Sequence, residues 1–283
     1  MNLPASWTNP KDGSLMQRIP AGDFIMGSTE EQIDEAISLD QDGPRFALSH
    51  ESPQFRAHVP DFYLAVYPVT NQQFAAFLAT VQPSAKQLEH WASRLERIEV
   101  NLDQRTFAVK PGFERHPAVH VSWEGAEAYA GWANLRLPTE IEWEKAARGT
   151  DGRIFPWGND WQSDALSWWN THDADHDTAT VDQFVKGVSP FGICQMTGNV
   201  EEWCADPYRH DVYHRYAQGD LEMPKAGIGR VLRGGNCMFS HRLGFRCAMR
   251  SSNPASLVNI LYTGIRCASD RPVSGDSASV DEL

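Results

Sequence analysis

Ten histidines and five cysteines carry most of the metal and redox chemistry open to this 283-residue chain. His210 and His214, in Tyr208-Arg-His-Asp-Val-Tyr-His-Arg215, stand four residues apart, as do His172 and His176. On a helix such a pair shares one face and can chelate a transition metal. Iron(II) would suit His210 and His214 if a carboxylate such as Asp211, or a third imidazole such as His241, completed the set. Cys237 and His241 are a further candidate pair, although two ligands rarely make a site without a third. His241, Cys237 and Arg246 are the candidate catalytic residues. The bland alternatives are ordinary surface histidines and an exposed or half-buried loop thiol.

The cysteines (194, 204, 237, 247 and 267) are odd in number and contain no C-x-x-C spacing. They read as reduced thiols, which implies a cytoplasmic protein. The amino-terminal Met1-Asn-Leu-Pro-Ala-Ser-Trp7 has neither a basic nor an apolar leader segment. No apolar run reaches the roughly 20 residues that span a bilayer. The formal net charge of -12 disfavours nucleic acid as a partner. No nucleophile elbow or phosphate-cradling loop occurs, and Gly227-Ile-Gly229 precedes no convincing helix, so a dinucleotide-binding reading fails.

Several elements must position these residues. Ile19 to Ser28 reads as strand, turn and strand, and Asp61 to Tyr67 as an alternating aromatic strand. Thr70 with Gln73, and Thr139 with Glu142, form capping boxes that open helices; Ser122 caps another over Trp123 to Asn134. The second capping box starts a helix over Glu140 to Arg148, with Gly149 as its stop. Residues 84–112, rich in Lys, Arg and Glu, read as an insertion whose first part is helical. Gly244-Phe-Arg-Cys-Ala248 recurs as Gly264-Ile-Arg-Cys-Ala268, which predicts two strands of one sheet with Arg246 and Arg266 on the face opposite the cysteines. Residues 272–283, rich in Ser, Asp and Gly, are expected to be disordered. Abundant Trp, Gly and Pro suit a loop-rich α+β protein.

An ordered series of motifs runs from about Ile19 to Asp270. It comprises Pro20-Ala-Gly-Asp-Phe-Ile-Met-Gly27, Tyr67-Pro-Val-Thr-Asn-Gln-Gln-Phe74, His120-Val-Ser-Trp-Glu-Gly-Ala126 and Leu137-Pro-Thr-Glu-Ile-Glu-Trp-Glu-Lys-Ala-Ala-Arg-Gly149. Phe155-Pro-Trp-Gly-Asn159, Gly198-Asn-Val-Glu-Glu-Trp203 and Arg233-Gly-Gly235 complete it. The series resembles the formylglycine-generating enzyme (sulfatase-modifying factor) family. The resemblance implies one C-type-lectin-like α+β domain over 19–271, with 1–18 as an amino-terminal extension and low regular secondary structure.

The resemblance also implies a copper site built from two cysteines shortly after Arg-Gly-Gly, since soft thiolates select Cu(I). Here Phe239 falls at the first position and Ser240, His241 or Arg242 at the second, so this member diverges and sulfatase activation is disfavoured. Family calcium sites imply oxygen ligands from Gln195, Gly198, Val200 and Glu202, and from Asn170, Asp173 and Asp175. Relatives without the copper cysteines, such as ergothioneine-type sulfoxide synthases and pyoverdine-maturation proteins, are associated with oxidative chemistry.

The expected function is a metal- and O2-dependent oxidoreductase acting on a small molecule or peptide, with iron or copper as the redox metal. The alternative is a non-catalytic C-type-lectin-like module that binds a ligand or protein through the 236–263 face, including a retroelement-diversified variable protein, or an inactive regulatory paralogue. Between Asn236 and Thr263 there is no Lys, Glu, Gln, Trp or Asp, which is compatible with adenine-directed codon variation, although Met238 and Met249 do not fit such codons. The apolar stretch over 255–262 reads either as a self-association surface or as a rewired core strand.

Overall fold

The computed structural model describes residues 3–39, 48–92, 94–171, 177–257 and 262–272. The first sheet orders β1 (Ser6–Thr8), β2 (Leu15–Ile19), β5 (Phe62–Ala65) and β12 (Ala268–Ser269), all antiparallel to their neighbours. The chain thus closes on its own beginning. Residues 6–19, read above partly as an extension, supply two strands of this sheet. β3 (Gly22–Met26) pairs with β4 (Phe55–Val59). The second four-stranded sheet runs β10 (Arg250–Asn253), β9 (Arg230–Arg233), β8 (Glu201–Pro207) and β11 (Thr263–Gly264), with β8 and β11 parallel. A hairpin of β6 (Ile98–Asn101) and β7 (Thr106–Val109) stands apart within the predicted insertion.

Helices α1 (Glu30–Leu39), α2 (Asn71–Val81), α3 (Ala85–Trp91), α4 (Trp123–Trp132), α5 (Glu140–Arg148) and α6 (Val212–Ala217) complete the fold. The predicted capping boxes form at Thr70 and Thr139, and Ser84 makes a third with Gln87. Each satisfies amide donors that a helix start leaves without partners. Gly149 ends α5 at φ 75°, a backbone region in which side chains beyond glycine are strained.

Two cores sit side by side. One gathers Phe74 and Phe77 of α2, Tyr129 of α4 and Ile265 against Trp203, whose indole nitrogen donates to the Val121 carbonyl at 2.9 Å. The other packs α5 through Trp143, Ala146 and Ala147 against Phe24, Met26 and Tyr213. All of α5 is buried, its charges included. Glu140 and Glu144, one turn apart, face Arg233, which bonds them at 3.1 and 2.6 Å, while Arg250 grips Glu140 with two bonds of 2.7 Å. Buried ions need such partners, since an unpaired one costs several kcal/mol.

The Gly-x-Arg-Cys-Ala echo is not a strand pair. Arg242–Phe245 forms a 3-10 turn, and the second copy lies between β11 and β12, which belong to different sheets. The shared residues answer a shared need instead. Arg246 donates to both Glu51 oxygens at 2.6 Å. Arg266 grips Glu202 at 2.8 to 3.0 Å and also donates to the carbonyls of Ala65, Val66 and Cys194. Both arginines are buried, as are Cys247 and Cys267. Among the described residues, no helix is long and apolar enough to cross a membrane.

Candidate functional site

A cavity of about 360 Å³ opens between the β6–β7 hairpin, the start of α2 and the segment leading to β11. The hairpin brings Arg97 and Lys110 together at its open end, where the Lys110 amide donates to the Arg97 carbonyl at 2.9 Å. Arg94 lines the same wall. The 84–112 segment is therefore a wall of the cavity. Arg97 pairs with Asp177, donates to the Pro117 carbonyl at 3.3 Å, and lies 5.4 Å from the Phe113 ring. Three cations and two carboxylates, Glu96 and Asp177, line it, so that with Arg97 paired to Asp177 the lining keeps a net of one positive charge within an acidic protein. A concave positive surface focuses its field on anions.

The opposite wall carries proton donors. His120 and Tyr262 place their rings 6.0 Å apart, and both have left-handed backbones, at φ 59° and 56°. Non-glycine residues held there store about 1–3 kcal/mol of strain, a pattern that concentrates at functional sites. The Tyr262 carbonyl accepts from the Glu201 amide at 3.0 Å. Glu201 is buried and meets Ser251 at 2.8 Å and Asn236 at 2.9 Å. Burial raises the pKa of its carboxyl, and the bonds from Ser251 and Asn236 oppose that shift. Burial likewise raises the Tyr262 phenol, with the nearby Cys237 and Asp177 adding to it.

Cys237 is fully buried, which corrects the expected exposed or half-buried thiol. Burial, then the field of Asp177, pushes it up to about 12, so it stays a thiol at neutral pH. Its amide donates to the Asn199 carbonyl at 3.0 Å, fixing it beneath the loop. Phe239 packs its ring against the bare α-carbons of Gly235 and Gly244. The residues therefore do not fit a copper pair: an aromatic ring fills the place, and the segment offers one protonated thiol. His241 is half-buried just before the 3-10 turn, and Arg246 is committed to Glu51.

The calcium-type set does not fit as arranged. Both Glu202 oxygens are engaged by Arg266, and one also accepts from the Trp143 indole at 2.7 Å. The Gln195 amide donates to Thr180 and Gln183 carbonyls and its oxygen accepts from Asn199. The Gly198 carbonyl accepts from the Val200 amide at 2.8 Å. Asn170 is exposed, while Asp173, Asp175, His172 and His176 lie outside the described residues, as do 258–261 of the apolar tip. His210 and His214 do not share a helical face, because His210 lies in the turn before α6. Among the described residues, no group of three His, Cys, Asp or Glu is placed to hold a metal ion.

Arg97, His120, Glu201 and Tyr262 escape sequence reasoning. The signal that could have found Glu201 is the pair Glu201-Glu202 on a strand, where neighbours must face opposite ways. One meets Arg266; the other faces polar groups without a cation.

The model of the sulfatase-modifying factor enzyme 1-like domain matches residues 4–271. The chain is 35% identical, over 89% of its length, to the serine/threonine-protein kinase Pkn1 of Chlamydia trachomatis, but spans only 38% of that protein. It is 31% identical to the formylglycine-generating enzyme of Streptomyces coelicolor, covering 98% of this chain and 96% of that one. It is 35% identical to hercynine oxygenase of Mycolicibacterium smegmatis, covering 83% of this chain and 56% of that one. The solved structure of PvdO from Pseudomonas aeruginosa superposes with a TM-score of 0.67 at 22% identity, covering 95% of this chain and all of that one.

Proposed function

This chain belongs to the sulfatase-modifying factor enzyme 1-like family, with its C-type-lectin-like α+β fold, and from that premise we propose that it is a divergent oxidoreductase of the family. It takes an acidic small molecule or peptide into the Arg97 cavity and does not activate sulfatases through a copper thiolate pair. The observation that carries the substrate class is the cationic wall of Arg94, Arg97 and Lys110 facing Tyr262 and His120. The resemblance to formylglycine-generating enzymes and to hercynine oxygenase supports oxygen-dependent chemistry. A redox metal would supply that chemistry, and among the described residues no group of three His, Cys, Asp or Glu is placed to hold one. The chain's own contribution is to bind the anionic group at Arg97 and Lys110, and to present the Tyr262 side chain beside it.

A second reading is a binding module without catalysis. The match to only 38% of a much longer kinase favours it, because there the same kind of domain stands within a longer chain. Metal analysis of protein purified without chelator, combined with oxygen uptake over a panel of acidic metabolites and peptides, separates the two. A stoichiometric transition metal with ligand-dependent oxygen uptake supports the oxidoreductase. Saturable binding that depends on Arg97 and Lys110, without oxygen uptake, establishes the module instead.

A further inference from the structure

His50, Tyr208 and His210 converge at one point, far apart in sequence and separate in residues from the Arg97 cavity. His50 lies in a 3-10 turn over Leu48–Glu51, Tyr208 follows β8, and His210 stands in the turn before α6. The Nδ1 atoms of the two imidazoles are 3.2 Å apart, with ring centroids separated by 4.1 Å. The Tyr208 hydroxyl oxygen is 2.9 Å from the same His50 Nδ1. A ring nitrogen carries either one proton or one in-plane lone pair, so His50 Nδ1 cannot make a good hydrogen bond to both partners at once. Three donor atoms crowding one point, which a single ring nitrogen cannot link to both partners, is the arrangement a cation resolves. Two imidazoles bound at about 2.0–2.1 Å to one tetrahedral ion hold their nitrogens about 3.3 Å apart.

The support is rigid. Arg250 is buried and clamped by Glu140; it donates to the His50 carbonyl at 3.2 Å and to the Arg209 carbonyl at 3.0 Å. Its guanidinium also lies 4.6 Å from the Tyr208 ring. One side chain therefore holds both main-chain segments that present the imidazoles. The neighbouring Asp211 is paired with Arg209.

We propose that His50, His210 and Tyr208 form a binding site for a borderline divalent ion, zinc(II) or copper(II), with the imidazoles as the principal ligands. Imidazole suits these ions, and water completes the open positions. The site joins the segment before β4 to the end of β8. It reassigns His210 from the sequence pair with His214 to a partner 160 residues away.

Titration calorimetry with zinc(II) and then copper(II) tests the site on the whole chain, with thermal unfolding as the folding control. One equivalent of at least one ion is expected to bind the native protein. His210→Ala, at an exposed position, and His50→Gln are each expected to lose at least about tenfold in affinity, Tyr208→Phe about tenfold or less, and His214→Ala nothing. Native protein that binds neither ion stoichiometrically overturns the proposal, as does a folded His210→Ala variant with unchanged affinity or a His214→Ala variant that loses as much.

Discussion

Phe239 presses its ring onto Gly244 so closely that the glycine has no room for a side chain. Shape as well as ligand type thereby opposes a copper thiolate pair at this place. Phe239→Cys is expected to bind no copper(I) tightly, because Cys237, the other thiol of this segment, is buried and stays protonated; a competition assay with a chromogenic chelator reads this directly. Gly244→Ala is expected to destabilise the fold by about 1–3 kcal/mol through overpacking, measured by urea denaturation. Asp206 shows a different residue-level effect. Burial, with the adjacent Glu140, raises its carboxyl to about 7 although it accepts the Glu140 amide at 2.7 Å. A raised carboxyl means that the unfolded chain ionises first. The native state therefore loses stability as pH climbs from about 4 to about 7, and the loss levels off above that. Asp206→Asn should flatten this part of the profile; an unchanged difference between pH 4 and pH 7 would sink the assignment.

At the scale of elements, α5 was legible and the second sheet was not. Thr139, Glu142 and Gly149 encode the ends of α5 within a few residues, so local chemistry suffices to read them. Its burial on every side is hidden, because Glu140, Glu144 and Arg148 look like solvent-facing charges until Arg233 and Arg250 arrive from β9 and β10. The repeated Gly-x-Arg-Cys-Ala segments misled for the same reason: each arginine answers a carboxylate distant in sequence, Glu51 or Glu202, and strand pairing does not enter. The cavity was illegible because its walls come from four separate segments. Arg250→Met should cost about 3–5 kcal/mol by leaving buried Glu140 with Arg233 as its remaining cation, at 3.1 Å, measured by chemical denaturation. It should also weaken zinc or copper binding at His50 and His210, whose main chains lose their shared brace.

Across the whole molecule, charge is unevenly spent. The chain carries -12 overall yet lines its cavity with Arg94, Arg97 and Lys110. An acidic ligand of the proposed kind would therefore be repelled at long range and attracted at the mouth. Raising salt from low to physiological strength screens the distant field more than the enclosed one, so affinity should change less than it would at an exposed basic patch. Arg97→Ala and Lys110→Ala should each weaken binding of an acidic ligand, by at least about fivefold, with the melting temperature little changed for Lys110→Ala; equilibrium dialysis checks both.

The β6–β7 hairpin has one more consequence. It sets most of the cavity's cationic wall yet gives the main core only Ile98 and the partly buried Val100, Phe107 and Val109. The cavity's cations and the main core thus come from largely separate stretches of chain. A hairpin of another length or charge could be grafted between α3 and Pro111 to retarget the cavity, while the two large sheets and the buried arginines keep the scaffold as it is.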